Sequence, residues 1–231
     1  MQGTNRLMLA AAAGLGLHSA VGGWAVISIA NPPDYLEAGS TYRIEYVVRQ
    51  HGKDLLSGLQ GSVQVQATGA ANAGQSSVAT APGTRKGSYV ATLKVPDADQ
   101  MSLKVSSGFS GGGWGDLTIP SIPIVRSGKA RPTFTLEERG RHLFVAKGCG
   151  TCHVNGEIPE FAQANRVMDK VAPELTGRRL EAAYVRQRLT NPSSLPQIGS
   201  GPVRMPNLEL ASNEVEALVA MLSGPVQRAG N

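Results

Sequence analysis

The strongest constraint on the fold is one change of hydrophobic period along the chain. Up to about residue 125 apolar and polar side chains alternate, as in TYRIEYVVR, where Tyr42, Ile44 and Tyr46 share one face. This alternation predicts half-buried antiparallel strands. Beyond about residue 133 the spacing of apolar residues becomes helical. The sequence therefore predicts a β domain followed by a helical domain.

The first domain is assigned to residues 24–125. Its strand-like stretches, among them SVQVQ, YVATLKV and MSLKV, are separated by turns rich in glycine and proline. About seven short strands without helical periodicity predict an immunoglobulin-like β-sandwich. The order GGWAV, VRQHG, GSYVATLKVP and SIPIV resembles the YtkA-like domains of exported proteins. That resemblance implies a fold and little chemistry.

A polar, basic segment, RSGKARP at residues 126–132, is predicted to be a linker. The second domain, residues 133–231, is predicted to be all α-helical. Thr135 and Glu138 have the spacing of a capping box, which starts a helix that ends at Gly148. A second helix is predicted at residues 180–189, and Ser212 can cap the last one.

The N-terminus predicts export. Asn5 and Arg6 precede the apolar run LMLAAAAGLGL, which has the dimensions of a signal peptide over residues 1–23, with cleavage after Ala20. An alternative reading extends the apolar run to Ala30 and makes it a membrane anchor. In both cases the body of the protein lies in the periplasm or on the outer face of the cytoplasmic membrane.

The chemistry-bearing motif is CGTCH at residues 149–153, which contains both cysteines of the chain. This spacing is that of a haem c attachment site, where two thiols form thioethers and the adjacent histidine binds iron. The alternatives each lack something: a redox CxxC pair favours a βαβ setting, and a zinc site needs further ligands. A structural disulfide would not need His153. The motif predicts one covalent haem c at Cys149, Cys152 and His153.

The order KGCGTCH, VAPEL and VRMPNLEL resembles that of class I c-type cytochromes over about residues 133–223. The resemblance implies that Met205 is the distal iron ligand opposite His153. It also implies that the Pro173 carbonyl accepts the Nδ1 hydrogen of His153, although Ala172 stands where the family has glycine. Met168 is the rival for the distal position. On the first helix, Gly140 and Phe144 are expected to pack on the last helix near Leu218 and Leu222.

The charge pattern favours a protein partner. The formal net charge is +5, and the basic residues alternate with acidic ones, unlike a nucleic-acid-binding stripe. Five arginines near the predicted site are either an ordinary solvated helix face or a docking surface for an acidic partner: Arg178, Arg179, Arg186, Arg188 and Arg204. A copper site at His51 would need further ligands, and the neighbouring sequence offers none.

These features predict an electron-transfer protein with His/Met-ligated iron. With both axial positions filled, it would be a carrier and not an enzyme. We expect the β-sandwich to dock it to a membrane redox complex. One alternative is a mainly structural or interaction subunit of a respiratory or photosynthetic complex. The other is a haem enzyme with an open distal side.

Overall fold

The computed structural model describes residues 23–69, 74–109, 115–158, 171–198 and 203–224. Residues 1–22 of the predicted signal peptide and the rival ligand Met168 lie outside these ranges. Among the helices that the structure describes, none is long and apolar enough to cross a membrane.

The described residues contain ten β-strands. In chain order they are β1 Ala25–Ile29, β2 Leu36–Glu37, β3 Thr41–Gln50, β4 Asp54–Leu55, β5 Ser62–Thr68, β6 Gln75–Ala79, β7 Ala81–Pro82, β8 Ser88–Lys94, β9 Gln100–Ser106 and β10 Asp116–Val125. One sheet has the order β1-β3-β8-β7, with β4 paired to β3. The other has the order β2-β10-β9-β5-β6. Strand β1 therefore lies at an edge of the first sheet.

The stretch TYRIEYVVR forms a strand with one buried face, as its alternation predicts. In β3 the side chains of Ile44, Tyr46 and Val48 are fully buried. Tyr46 pairs across the sheet with Tyr89 of β8, and their rings stack with centroids 5.6 Å apart. Aromatic pairs at this separation add to the stabilisation from burial alone. The inward faces of β5 and β9 complete this core.

Three α-helices follow in the described part of the chain: α1 Leu136–Ala146, α2 Ala182–Thr190 and α3 Ser212–Ser223. The capping box at the start of α1 is confirmed, because Thr135 Oγ1 accepts from Glu138 N at 3.1 Å and Glu138 accepts from Thr135 N at 2.8 Å. Helix α3 is capped one residue earlier than predicted. Ser212 is its first residue, and Glu214 accepts a hydrogen bond from Ala211 N.

Helices α1 and α3 cross at Gly140, where any side chain would collide with the Ala217 carbonyl. The sequence correctly assigns this glycine to the helix crossing. The residues that face it are Ala217 and Met221, not the expected Leu218 and Leu222. A glycine is needed because the two helix backbones approach too closely for a Cβ atom.

The predicted fold class, a β-sandwich joined to a separate all-α cytochrome domain, is wrong. The described chain is predominantly β, and the buried residues of its three helices and two sheets form one continuous cluster. Polar groups also join the two parts: Ser28 Oγ donates to Lys147 O at 2.9 Å, and Lys147 Nζ donates to Ala30 O at 2.7 Å. The end of α1 is therefore tied to strand β1.

The predicted family resemblances, to a YtkA-like domain followed by a class I cytochrome, are wrong for the same reason as the fold class. A cytochrome of that class is all-helical, whereas this chain places its helices on the edge of a sheet. The proposed domain boundaries stay predictions. Within the predicted linker, Arg126 forms ion pairs with Asp97 and Asp99, and Arg131 with Glu37, so this segment is tied to the sheets.

Candidate functional site

A tight turn after α1 places the cysteine motif. Gly148 has a φ of 73°, and a Cβ atom there would collide with the Ile27 carbonyl of β1. A short 3₁₀ helix, Cys149–Thr151, follows. The backbone N–H groups of Cys152 and His153 both donate to Cys149 O, at 3.1 and 2.9 Å. This turn brings the two thiols and the imidazole to one side of the chain.

These three side chains line a cavity of about 330 Å³. Met205 also lines it, from the segment that precedes α3. Most of the remaining wall is apolar, with contributions from all three helices and from β1: Val26, Phe144, Val185, Leu189, Leu218 and Leu222. Such a wall favours a ligand with a large apolar body, oriented by a few polar or sulfur-containing groups.

His153 is held in one orientation within the cavity wall. Its Nδ1 lies 2.9 Å from the carbonyl oxygen of Pro173, the pairing that the sequence analysis expects. Burial lowers the pKa of His153, and the contact with Pro173 raises it by a smaller amount. A neutral ring that donates from Nδ1 keeps the Nε2 lone pair available to bind a cation.

The two cysteine thiols are shielded from water. Burial is the main cause that raises the pKa of Cys149 to about 12 and the pKa of Cys152 to about 11. Both groups are therefore protonated thiols at neutral pH. Since the thiolate is the nucleophile in disulfide exchange, this setting disfavours a thiol–disulfide redox role.

The predicted cofactor, one covalent haem c, is wrong. Among the residues that the structure describes, no group of three or more His, Cys, Asp or Glu side chains could hold a metal ion. Nor does the mainly β fold provide the helical domain on which that prediction depended. The roles of Cys149, Cys152, His153, Met205 and Pro173 are argued below from the cavity that they line.

The five arginines predicted near the site divide into two groups. Arg179 pairs with Glu157 at 3.2 Å, and Arg186 pairs with Glu216 at 2.7 Å, so these two act within the fold. The other three line the cavity: Arg178, Arg188 and Arg204. Arg188 is fixed by the carbonyls of Pro192 and Pro196, at 2.9 and 2.7 Å. The cavity therefore has a basic rim.

Sequence reasoning missed the contribution of the sheet to the site. Val26 of β1 lines the cavity although it is far from the motif in sequence. The β-branched residues around Val26 indicate a strand but give no sign that a helical segment packs on it. The copper site at His51 stays without support: its ring packs edge-on against Trp24, with centroids 5.6 Å apart.

Comparisons with known proteins identify no family. No protein-family model and no curated protein matches the chain. Among solved structures, a superoxide reductase (neelaredoxin) variant from Ignicoccus hospitalis aligns with a TM-score of 0.30 and 15% identity, covering 43% of this chain and 80% of that chain. A cycloisomaltooligosaccharide glucanotransferase from Paenibacillus sp. aligns with a TM-score of 0.29 and 14% identity, covering 52% and 18%. Likenesses at these TM-scores carry no conclusion about fold or function.

Proposed function

We propose that this protein transfers single electrons through a redox-active prosthetic group bound in the cavity. The observation that carries the proposal is the convergence of two thiols, one neutral imidazole and one thioether on a single apolar space: Cys149, Cys152, His153 and Met205. A thioether makes favourable contacts with aromatic rings, and an apolar wall favours a ligand with a large apolar body.

Each residue has a distinct role in this proposal. Cys149 and Cys152 contact the group as buried, protonated thiols. His153 presents its Nε2 lone pair and Met205 its thioether to the same space. Pro173 positions the imidazole, since its carbonyl accepts from Nδ1 at 2.9 Å. Because the group would fill the cavity that these side chains line, we propose a carrier and not an enzyme.

The basic rim suggests how a partner docks. Arg178 and Arg204 are exposed and line the cavity together with the half-buried Arg188. A cluster of positive charge steers an acidic partner to this face. We propose that this exchange occurs outside the cytoplasm, at a membrane redox complex, as the signal-like N-terminus favours. Electron transfer that slows as salt is added would support this docking surface.

The proposal is tested on protein purified from a host that exports it. Native mass spectrometry should show the 24.1 kDa chain, less any removed N-terminal segment, with one bound group. Titration with dithionite should show uptake of one electron per chain. A chain of unmodified mass that takes up no electrons would overturn the proposal.

Met205→Leu tests the thioether separately. It should shift the reduction potential and the visible spectrum while the group stays bound. Met221→Leu is the matched control, because Met221 is buried at the crossing of α1 and α3 and does not line the cavity. Equal spectra for the two variants would remove Met205 from the site.

A further inference from the structure

The Met205 loop, defined here as residues 203–211, has a conformation that its own sequence does not favour. Glu209 has a φ of 54°, in the left-handed region that a residue with a side chain rarely adopts. The Asn207 side chain stabilises this local turn by accepting from Glu209 N at 2.9 Å. A strained backbone of this kind persists where surrounding structure holds it in place.

The first sheet supplies contacts that hold the loop. Glu209 Oε2 accepts from Arg85 Nη1 at 2.6 Å, and Arg85 lies in the turn before β8. Pro206 packs near Gly52, in the turn after β3, where a Cβ on the glycine would lie 3.9 Å from the proline ring. The loop that carries Met205 therefore rests on two turns of the β-sheet.

A buried cation strengthens this contact. Arg49 of β3 is only 8% exposed, and its Nη1 is buried without a hydrogen-bond partner among the described residues. Glu209 interacts electrostatically with Arg49 and opposes the effect of burial, which lowers the pKa of that guanidinium. Arg85 acts on it with the opposite sign. Glu209 therefore offsets the positive charges of Arg85 and of the buried Arg49.

The same sheet also contacts the other half of the site. The Ile27 carbonyl of β1 lies against Gly148, directly before Cys149, and Val26 forms part of the cavity wall. Strand β1 pairs with β3, which carries Arg49. One rigid sheet is thus in contact with both segments that supply the proposed donors.

We infer that the first β-sheet is a positioning element of the site, which sets the distance between the Cys149–His153 turn and Met205 through the Glu209–Arg85 contact. This inference rests on the proposed function, in which Met205 contacts the bound group. It gives the sheet a role in the geometry of the site, in addition to any docking to a partner. Glu209 and Arg85 are its positioning residues.

The test uses the rate of oxidation of Met205 to measure how often the Met205 loop opens. Purified protein is treated with dilute hydrogen peroxide, and sulfoxide formation at each methionine is followed by peptide mass spectrometry. Glu209→Gln and Arg85→Gln should each oxidise at Met205 about threefold faster than the parent, because the loop opens more often. The charge-swapped double variant, Arg85→Glu with Glu209→Arg, should return Met205 toward the parent rate.

Two controls separate the outcomes. Met101 is buried in β9 at 1% exposure and should keep its slow rate in every variant. Arg43→Gln breaks another ion pair of β3, with Glu45, and should leave Met205 unchanged. Unchanged Met205 oxidation in both single variants would overturn the inference, as would equal acceleration at Met101. Because the readout needs no electron transfer, failure of the proposed function would be seen separately in the titration.

Discussion

Lys147 Nζ and Glu214 Oε1 form a buried ion pair at 2.7 Å, with side chains only 3% and 10% exposed. The pair joins the end of α1 to the first turn of α3, directly before the cysteine motif. Lys147 Nζ also donates to Ala30 O in the segment after β1, so one ammonium group connects both helices to the first sheet. We expect it to be the principal polar contact that fixes the turn at Gly148.

Removing one member of this pair should destabilise the protein strongly. Lys147→Met leaves the Glu214 carboxylate buried without its cation, a change that costs about 3–5 kcal/mol in comparable cases. The double variant Lys147→Met with Glu214→Gln should recover part of this loss, because no buried charge remains. Urea unfolding measures both. Arg43→Gln, which breaks the more exposed pair with Glu45, is the control and should cost no more than about 1 kcal/mol.

Gly140→Ala should destabilise the helix crossing. The added methyl would collide with the Ala217 carbonyl, and a backbone atom cannot move aside as a flexible side chain does. Overpacking of this kind costs about 1–3 kcal/mol, which exceeds the gain of at most about 1 kcal/mol from the helix propensity of alanine. Thermal unfolding provides the measurement.

Gly156→Ala is the matched control for the crossing. Its Cβ would meet only the Thr176 side chain, at 3.3 Å, so a small shift of that side chain suffices. We expect a change within about 0.5 kcal/mol, as for most substitutions away from special features. If both alanine variants unfolded at the same temperature, the close approach of α1 and α3 would be disproved.

Local features of the fold could be predicted from the sequence, and the long-range ones could not. Period two identified β3, and the spacing of Thr135 and Glu138 identified the start of α1, because both signals come from neighbouring residues. The contact between Ile27 and Gly148 joins residues far apart in the chain, and the local sequence around neither residue predicts it. This is why the sequence did not predict that the end of α1 lies against strand β1.

In the candidate site, too, the local features could be predicted from the sequence and the long-range ones could not. The residues that line the cavity were predicted at Cys149, Cys152, His153 and Met205, because each stands in a short motif. The structure supplies the wall from Val26 and the contact between Arg85 and Glu209, which depend on how the sheet meets the helices. The cofactor prediction is wrong because it depended on an all-helical domain, and the described chain is mainly β.

Acid should destabilise the protein through His142. Burial lowers its pKa from the ordinary value of 6.5, and its Nε2 is buried without a hydrogen-bond partner among the described residues. The unfolded chain therefore binds a proton at a higher pH than the folded one. Stability should fall as the pH drops below about 6.5, by up to about 1.4 kcal/mol per pH unit from this group, until the folded-state pKa is reached.

His142→Gln isolates this effect, since glutamine does not titrate. The melting temperature of the variant should fall less than that of the parent between pH 7 and pH 5. Above pH 7 the two proteins should respond to pH in the same way. Parallel pH profiles over the whole range would mean that His142 does not contribute to acid unfolding.

The cysteine thiols should be slow to alkylate in folded protein made in the cytosol, where both remain free. Burial raises the pKa of Cys152 to about 11 and that of Cys149 to about 12, against an ordinary value of 9.0. At pH 8 the thiolate fraction is then about a hundredfold or more below that of the unfolded chain. Reaction with iodoacetamide, followed by mass spectrometry with and without urea, measures the ratio. Native rates within tenfold of the unfolded rates would show accessible thiolates and would favour disulfide exchange.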